Sequence, residues 1–335
     1  MDDIALAEVT RGGRVESLHL GRIAVTDDTG RVIRGLGAVE APVFPRSTVK
    51  ALLALPLVET GAADRLGLTD AELALACASH GGEIPHVRTA SRMLAAAGQS
   101  VACLECGAHW PSFEAAARAV ASDGAGPTAL HNNCSGKHAG LICLAADQGL
   151  DPKGYVDPAH AVQRQVTSAL EMATSVPHTE RNRGLDGCSM PTYAIPLSAL
   201  ATGFARFGTG RNFSSGHASA AARLRSAVAS EPFMVAGSGR FDTTLMAHFG
   251  QRIFCKMGAE GVMVAALPEC GLGIAIKTSD GANRAAEVAL AALLLELGAP
   301  LWSSADQEVL HGLSCQVLKN WNGREVGMVR AAGKG

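Results

Sequence analysis

The densest group of functional side chains in this sequence is the short segment 131–138, HNNCSGKH. Seven of its eight residues carry a functional side chain, and Ala-rich apolar stretches surround it. Polar segments of this kind usually carry function, because a rigid scaffold can hold them in place. A thiol, an amine and an imidazole within five residues suit metal binding or acid–base chemistry.

A second thiol, Cys188, follows Asp186 in a similarly polar segment. Two thiolates suit zinc, so Cys134 and Cys188 could bind it with Lys137 or a histidine as the third ligand. Lysine is an unusual ligand because its amine must first lose a proton, and Asp186 could orient the ligands. The other interpretation is that the two cysteines are buried free thiols that pack as small apolar residues. The residues alone leave both interpretations open.

Ser47 and Lys50 form a possible activated serine. Residues three apart on a helix share a face, so the lysine amine could take the proton of the serine hydroxyl if burial lowers its pKa. The alternative is a helix-capping serine followed by a solvated lysine. Residues 44–46, FPR, favour the first interpretation, since similar residues precede the active serine of penicillin-binding enzymes and glutaminases.

A further serine, Ser79, precedes His80, two glycines and Glu83. The glycine pair would allow the backbone to approach a ligand closely. Taken alone, the segment is more typical of a helix end with incidental polar residues.

Composition narrows the class of protein. The 335 residues have 47% hydrophobic residues, enough for a sizeable core, and a net charge of -2. That charge, with only 4% aromatic residues, disfavours a nucleic-acid-binding surface. The most apolar long stretch, 285–302, contains two glutamates and is typical of a buried helix, so we expect no membrane segment. With these classes disfavoured, we expect a protein that acts on small molecules.

The cysteines and the N-terminal residues bear on localisation. Met1 to Asp3 do not begin a basic region followed by an apolar stretch, as an export signal would. Nine cysteines, an odd number, do not favour a disulfide framework. We therefore expect a cytoplasmic protein with reduced thiols.

The order of predicted elements indicates an α+β fold. Short strands with only turns between them favour antiparallel pairing, so the chain would leave a sheet, build a helical region and return. We predict one domain over 1–335, with the sheet from about 1–45 and 230–335 and a mostly helical region at about 46–229. The predicted strands are 22–25, 31–33, 252–256, 261–266 and 271–277; the predicted helices are 47–55 (ended by Pro56), 69–77, 88–97, 112–121, 138–147, 157–173, most of 190–207, 215–229 and 282–297.

Several motifs, in order along almost the whole chain, resemble the Rhizobium etli-type L-asparaginases. They are 15–17 (VES), 46–50 (RSTVK), 78–80 (ASH), 106–111 (CGAHWP), 131–140, 186–188 (DGC) and 258–261 (GAEG). The resemblance implies a serine-dependent fold related to β-lactamases and glutaminases, and hydrolysis of L-asparagine to L-aspartate and ammonia. It also implies a homodimer.

The resemblance also assigns roles to residues. It implies two catalytic serine/lysine pairs, a zinc site and a set of substrate-binding residues. The pairs are Ser47 with Lys50 and Ser79 with Lys256; the zinc ligands are Cys134, Lys137 and Cys188; the substrate-binding residues are Arg46, His138 and Asp186. Some members of the family carry a cysteine near the position where this chain has Asp242. The zinc ion would modulate the reaction rather than perform it.

Three alternatives stay open. A glutaminase differs by one methylene in its substrate, and a β-lactamase shares the serine/lysine chemistry but normally needs export. A non-catalytic zinc or thiol protein built on Cys134 and Cys188 would lose no turnover without Ser47. The sequence does not decide which of Ser47 and Ser79 attacks the substrate.

Overall fold

The computed structural model describes residues 3–333. Within this range the strands are β1 (Ile4–Arg11), β2 (Arg14–Asp27), β3 (Val32–Leu36), β4 (Pro42–Val43), β5 (Arg183–Leu185), β6 (Pro191–Tyr193), β7 (Ile195–Pro196), β8 (Phe254–Met257), β9 (Val262–Leu267), β10 (Leu272–Thr278), β11 (Cys315–Lys319) and β12 (Glu325–Ala331). The helices are α1 (Lys50–Leu53), α2 (Leu55–Glu59), α3 (Ala62–Arg65), α4 (Asp70–Ala76), α5 (Ile84–Ala96), α6 (Glu114–Ser122), α7 (Ser135–Asp147), α8 (Ala161–Thr174), α9 (Leu197–Thr209), α10 (Ser215–Ser230), α11 (Pro232–Ala236), α12 (Phe241–Phe249), α13 (Asn283–Leu297) and α14 (Ser304–Ser314).

The two ends of the described chain build one antiparallel sheet of eight strands. Seven strands follow the order β11-β12-β1-β2-β10-β9-β8, and β3 pairs with β2 as well. Two small pairs, β4 with β7 and β5 with β6, lie outside this sheet. The sheet at both ends and the helices between them confirm the predicted α+β class.

The centre of the sheet is covered on both faces. All six residues of β9 are buried, and both α9 and α13 pack against this strand. The sequence of a strand that is buried on both faces is a continuous apolar run and does not alternate between apolar and polar residues; here it is VMVAAL. This burial fixes the position of the neighbouring strand β8, which carries Lys256.

Several predicted elements are confirmed. The hairpin of β2 and β3 contains the predicted strands 22–25 and 31–33, and β9, β10 and α13 lie close to their predicted bounds. The return to the sheet starts at Phe254, because α11 and α12 occupy most of 232–249. The prediction did not include β1, β11, β12 or α14.

Two helix predictions were wrong in detail. Residues 191–196 form the short strands β6 and β7, and the helix begins only at Leu197, because Pro191 and Pro196 lack the N–H that a helix interior needs. Pro56 does not end the helical region; it lies in the first turn of α2, where the missing N–H has no helical partner to lose.

Candidate active site

Ser47 lies in a tight turn against the end of β8. Residues 46–49 form a 3₁₀ turn, which Arg46 enters with a left-handed φ of 52°. Gly258, just after β8, is in close contact with this turn, since a Cβ there would lie 2.9 Å from Thr48 Cγ2 and 3.0 Å from Pro45 O. Only glycine allows this approach. The glycine therefore lets β8 meet the turn that carries the serine.

The amine of Lys50 connects this turn to the second serine. Lys50 is buried, and its Nζ donates to Ala78 O at 2.5 Å and to Ser79 Oγ at 2.9 Å. Ser47 Oγ has no hydrogen-bond partner within residues 3–333, and Ser47 lines a cleft. The lysine of the first predicted pair thus binds the serine of the second.

Lys256, the other predicted base, is buried beside a carboxylate. Its Nζ donates to Met257 O at 2.7 Å and lies 3.9 Å from Asp242 Oδ2. Burial lowers the pKa of Lys256 to about 8; Asp242 opposes this shift and the positive charge of Lys50 adds to it. Within the described chain, Lys256 makes no hydrogen bond to Ser79. The structure therefore brings the two lysines into one electrostatic network, although it does not join Lys256 to a serine.

The predicted zinc ligands meet where α7 begins. Gly136 in the first turn of α7 packs directly on α4, since a Cβ there would lie 2.2 Å from Leu75 O. This contact places Cys134 and Lys137 next to the segment that carries Ser79. Lys137 Nζ lies 2.9 Å from the Sγ atom of Cys188, which the loop between β5 and β6 supplies.

The two thiols differ in protonation. The Cys188 S–H donates to Cys134, and this bond, with the positive charges of Lys50 and Lys137, holds the pKa of Cys134 well below its usual value in spite of burial. The same bond and burial raise the pKa of Cys188. Burial alone would lower the pKa of Lys137, but the nearby cysteines outweigh it and the pKa is raised. Cys134 is therefore the more acidic of the two thiols.

The donor set can be tested against zinc. Across residues 3–333 no three His, Cys, Asp or Glu side chains form a group that could hold a metal ion. A metal at this place would therefore use the sulfurs of Cys134 and Cys188 with the amine of Lys137. Two sulfurs and one nitrogen suit zinc with a fourth position open, provided that the ion displaces the lysine proton.

Arg46 and Asp186 form an ion pair at the cleft. Both Nε and Nη2 of Arg46 lie 2.8 Å from Asp186 Oδ1. Burial would raise the pKa of Asp186, but the charges of Lys137 and Arg46 lower it. Ser47, Lys50 and Lys137 line the same cleft. The cleft therefore brings together predicted catalytic residues, a predicted zinc ligand and predicted substrate-binding residues. Its cavity volume is about 20 Å³, which is enough for about one water, so a larger ligand needs side chains at the mouth to move.

His138 is fully buried beside Tyr155 and does not line this cleft. The Tyr155 hydroxyl accepts the Glu105 N–H at 3.0 Å and lies 2.5 Å from His138 Nδ1, while Nε2 has no partner within residues 3–333. Burial and the charges of Lys137 and Lys50 hold the pKa of His138 well below its usual value, so the ring is neutral. No sequence pattern pointed to Tyr155, because 17 residues separate it from the histidine it contacts.

The comparison with protein families identifies the class. The model of L-asparaginase II matches residues 7–331. The chain therefore belongs to the L-asparaginase II family, which confirms the resemblance drawn from the motifs. These are amidohydrolases, so the prediction of an asparaginase-type hydrolase is confirmed at the level of the enzyme class.

Other comparisons add little. A search of curated proteins finds no match. Among solved structures, a β-lactamase from Mycobacterium bovis is 15% identical, with 83% of this chain and 94% of that chain covered and a TM-score of 0.41. A likeness of that strength is too weak to carry an argument. In the described part of the chain, no helix is both long enough and apolar enough to cross a membrane.

Proposed function

We propose that this protein hydrolyses L-asparagine to L-aspartate and ammonia with a serine nucleophile. Membership of the L-asparaginase II family supports the substrate. The observation that carries the mechanism is that one cleft is lined by Ser47, Lys50, Lys137 and Asp186. A serine with a free hydroxyl, a buried amine within a few residues and an ion pair for the amino-acid end of the substrate suit amide hydrolysis.

In this mechanism Ser47 Oγ attacks the side-chain amide carbon of asparagine. The hydroxyl proton passes to the Lys50 amine or through the neighbouring Ser79 hydroxyl, and the leaving nitrogen takes it up and departs as ammonia. A β-aspartyl ester of Ser47 remains, and water cleaves it to aspartate and free serine. Ser47 is favoured over Ser79 as the nucleophile because its hydroxyl has no partner in the described residues and borders the cleft, whereas Ser79 is bound by Lys50.

Lys256 would serve as a further proton acceptor for the Ser47 and Lys50 pair. Its lowered pKa, about 8, gives it an appreciable neutral fraction near neutral pH, which a general base needs. Positioned acid–base groups of this kind are worth about a hundred- to ten-thousand-fold in rate.

We also propose that Cys134, Cys188 and Lys137 hold a zinc ion when one is bound. Its chemistry would be electrostatic: it would fix Asp186 and the substrate's amino-acid end, with its charge largely neutralised by two thiolates. Lys137 can also position Cys188 and Asp186 without a metal. It lies beside Cys188, and the charge of Lys137 lowers the pKa of Asp186. For this reason we expect metal removal to raise KM more than it lowers kcat.

The deciding experiment is ammonia release from L-asparagine and L-glutamine by the wild type, Ser47→Ala and Ser79→Ala. Ser122→Ala, at the exposed end of α6, is the matched control. We expect release from asparagine that is lost in Ser47→Ala and kept in the control. A hydroxylamine trap should convert the ester intermediate to β-aspartyl hydroxamate in the wild type and in the Ser122→Ala control, but not in Ser47→Ala.

Other outcomes would support the alternatives. Equal release from glutamine would favour a glutaminase-asparaginase, because discrimination by one methylene is only about ten- to two-hundred-fold. Hydrolysis of a chromogenic β-lactam would favour β-lactamase chemistry. Metal binding with no turnover of any amide, in folded protein, would favour a zinc or thiol protein and overturn the proposal.

We further propose a cytoplasmic homodimer. All nine cysteines are free, which suits a reducing compartment. Exposed apolar residues lie at the outer end of the sheet, where Val15 and Val317 fall in one row across β2, β1, β12 and β11. Light scattering of the wild type and of Val317→Lys tests the assembly: a dimer that becomes a monomer supports it, and a monomeric wild type contradicts it. Cell fractionation tests the compartment.

A further inference from the structure

Thr192 carries a buried hydroxyl that the fold leaves unpaired. Its residue exposure is 9%, yet Oγ1 has no hydrogen-bond partner. Only two other buried side-chain atoms in residues 3–333 share this condition, Arg22 Nε and His138 Nε2. The first lies 3.2 Å from Asp3 Oδ1, and neither residue lines the cleft. Buried polar groups are nearly always bonded, so an unpaired hydroxyl beside a cleft calls for a partner that enters from the cleft.

The backbone around Thr192 holds its side chain in place. Thr192 lies in β6 and pairs with Gly184 of β5. A Cβ on Gly184 would fit tightly, since it would lie 3.0 Å from Phe44 Cε1 and 3.6 Å from Thr192 Cγ2. The Thr192 methyl group therefore faces Gly184 on the paired strand β5. A β-branched residue held in this way has a restricted χ1, so its hydroxyl is preorganised.

The charges along the cleft indicate what this hydroxyl would bind. Arg46, Lys50 and Lys137 line the cleft together with Thr192, and Asp186 is the one carboxylate among its described lining residues. Asp186 is already paired with Arg46. Arg46, Lys50 and Lys137 offer N–H donors to the cleft, so its lining suits a hydrogen-bond acceptor such as a carboxylate in the ligand. A carboxylate accepts hydrogen bonds and cannot donate them, so the threonine hydroxyl would act as the donor.

From these observations we infer that Thr192 Oγ1 donates a hydrogen bond to the α-carboxylate of the bound amino acid, and so helps to select substrates with a free carboxylate. This inference rests on the proposed function, because it takes asparagine as the ligand. Thr192 would act in binding and not in proton transfer. Nothing in the segment 190–193, MPTY, distinguished this residue in the sequence; only its unpaired hydroxyl and its place on the cleft do so.

The test compares Thr192→Val, which keeps the shape and removes the hydroxyl, with Thr192→Ser, which keeps the hydroxyl. We expect Thr192→Val to raise KM for L-asparagine about ten- to a hundred-fold, with kcat changed less than about threefold, since hydrogen bonds to charged groups are among the stronger ones. L-Aspartate, measured by calorimetry, should bind more weakly by a similar factor. Thr192→Ser should restore most of both.

L-Asparaginamide, which lacks the carboxylate, separates this role from a general loss of packing. If the inference is right, Thr192→Val lowers kcat/KM for this substrate markedly less than for asparagine, because the neutral carboxamide oxygen accepts a weaker hydrogen bond than a carboxylate does. An equal loss on both substrates would mean that the hydroxyl serves the fold or another group, and would overturn the inference. A Thr192→Val protein with the KM and kcat of the wild type would also overturn the inference. That result is expected if a water molecule bonds to the hydroxyl. Wild type that neither turns over asparagine nor binds aspartate would overturn the proposed function and this inference together.

Discussion

The carboxylate of Asp242 sets the pH at which Lys256 can act as a base. Both side chains are buried, and Lys256 Nζ lies 3.9 Å from Asp242 Oδ2. Asp242 Oδ2 also accepts the Met257 N–H at 2.9 Å, which an asparagine could still do through its own oxygen. Asp242→Asn therefore removes the charge and keeps the local bond.

The size of the effect follows from the separation. Two unit charges 3.9 Å apart interact by about 4 kcal/mol at an effective dielectric constant of 20. This corresponds to an upper limit of about three pKa units. Relaxation and water entry reduce it, so we expect a fall of about one to three units. Lys256 has a pKa of about 8 in the wild type, and the loss of a nearby negative charge makes its ammonium form less stable.

The assay is the pH dependence of kcat/KM for asparagine between pH 5 and 10. A lysine base works when neutral, so wild-type activity should rise through about pH 8. In Asp242→Asn this rise should move to lower pH, and in Lys256→Met it should disappear. Asp64→Asn, which changes an exposed carboxylate paired with Arg223, is the control and should leave the profile in place. A profile that does not move in folded Asp242→Asn, or that moves to higher pH, would refute the reasoning.

Three further predictions concern the surroundings of the cleft. Cys188→Ala should lower zinc content in elemental analysis and raise KM while leaving a measurable kcat; a folded variant without turnover would contradict the positioning role of the metal. Tyr155→Phe should lower the free energy of unfolding in urea by about 1–3 kcal/mol, because it leaves both His138 and a backbone N–H without their partner; unchanged stability would show that water replaces the hydroxyl. Gly136→Ala should lower Tm and activity together, since overpacking typically costs about 1–3 kcal/mol, whereas Gly312→Ala, with open space around it, should not.

The sequence pointed to candidate site residues more directly than to the elements that carry them. The segment 131–138 was recognisable from its polar side chains, and the motifs gave the family. The small strands β6 and β7 were missed because residues 190–207 look helical when read alone. The pairing partner of β7, β4, is also distant in the sequence. β6 borders the loop that carries Cys188 and Asp186, so the wrong local prediction fell next to the candidate site.

The residue types were enough to indicate zinc-type ligands and a serine with a lysine three residues later, because these depend on local chemistry and spacing. The sequence could not decide which groups touch. It paired Lys50 with Ser47, whereas in the folded chain the Lys50 amine binds Ser79, 29 residues away. Likewise the burial of the unpaired Thr192 hydroxyl becomes visible only in the folded chain. Local patterns thus determined the kind of chemistry, while long-range packing, through burial and close backbone contacts at Gly136 and Gly258, decided which atoms meet and which pKa values shift.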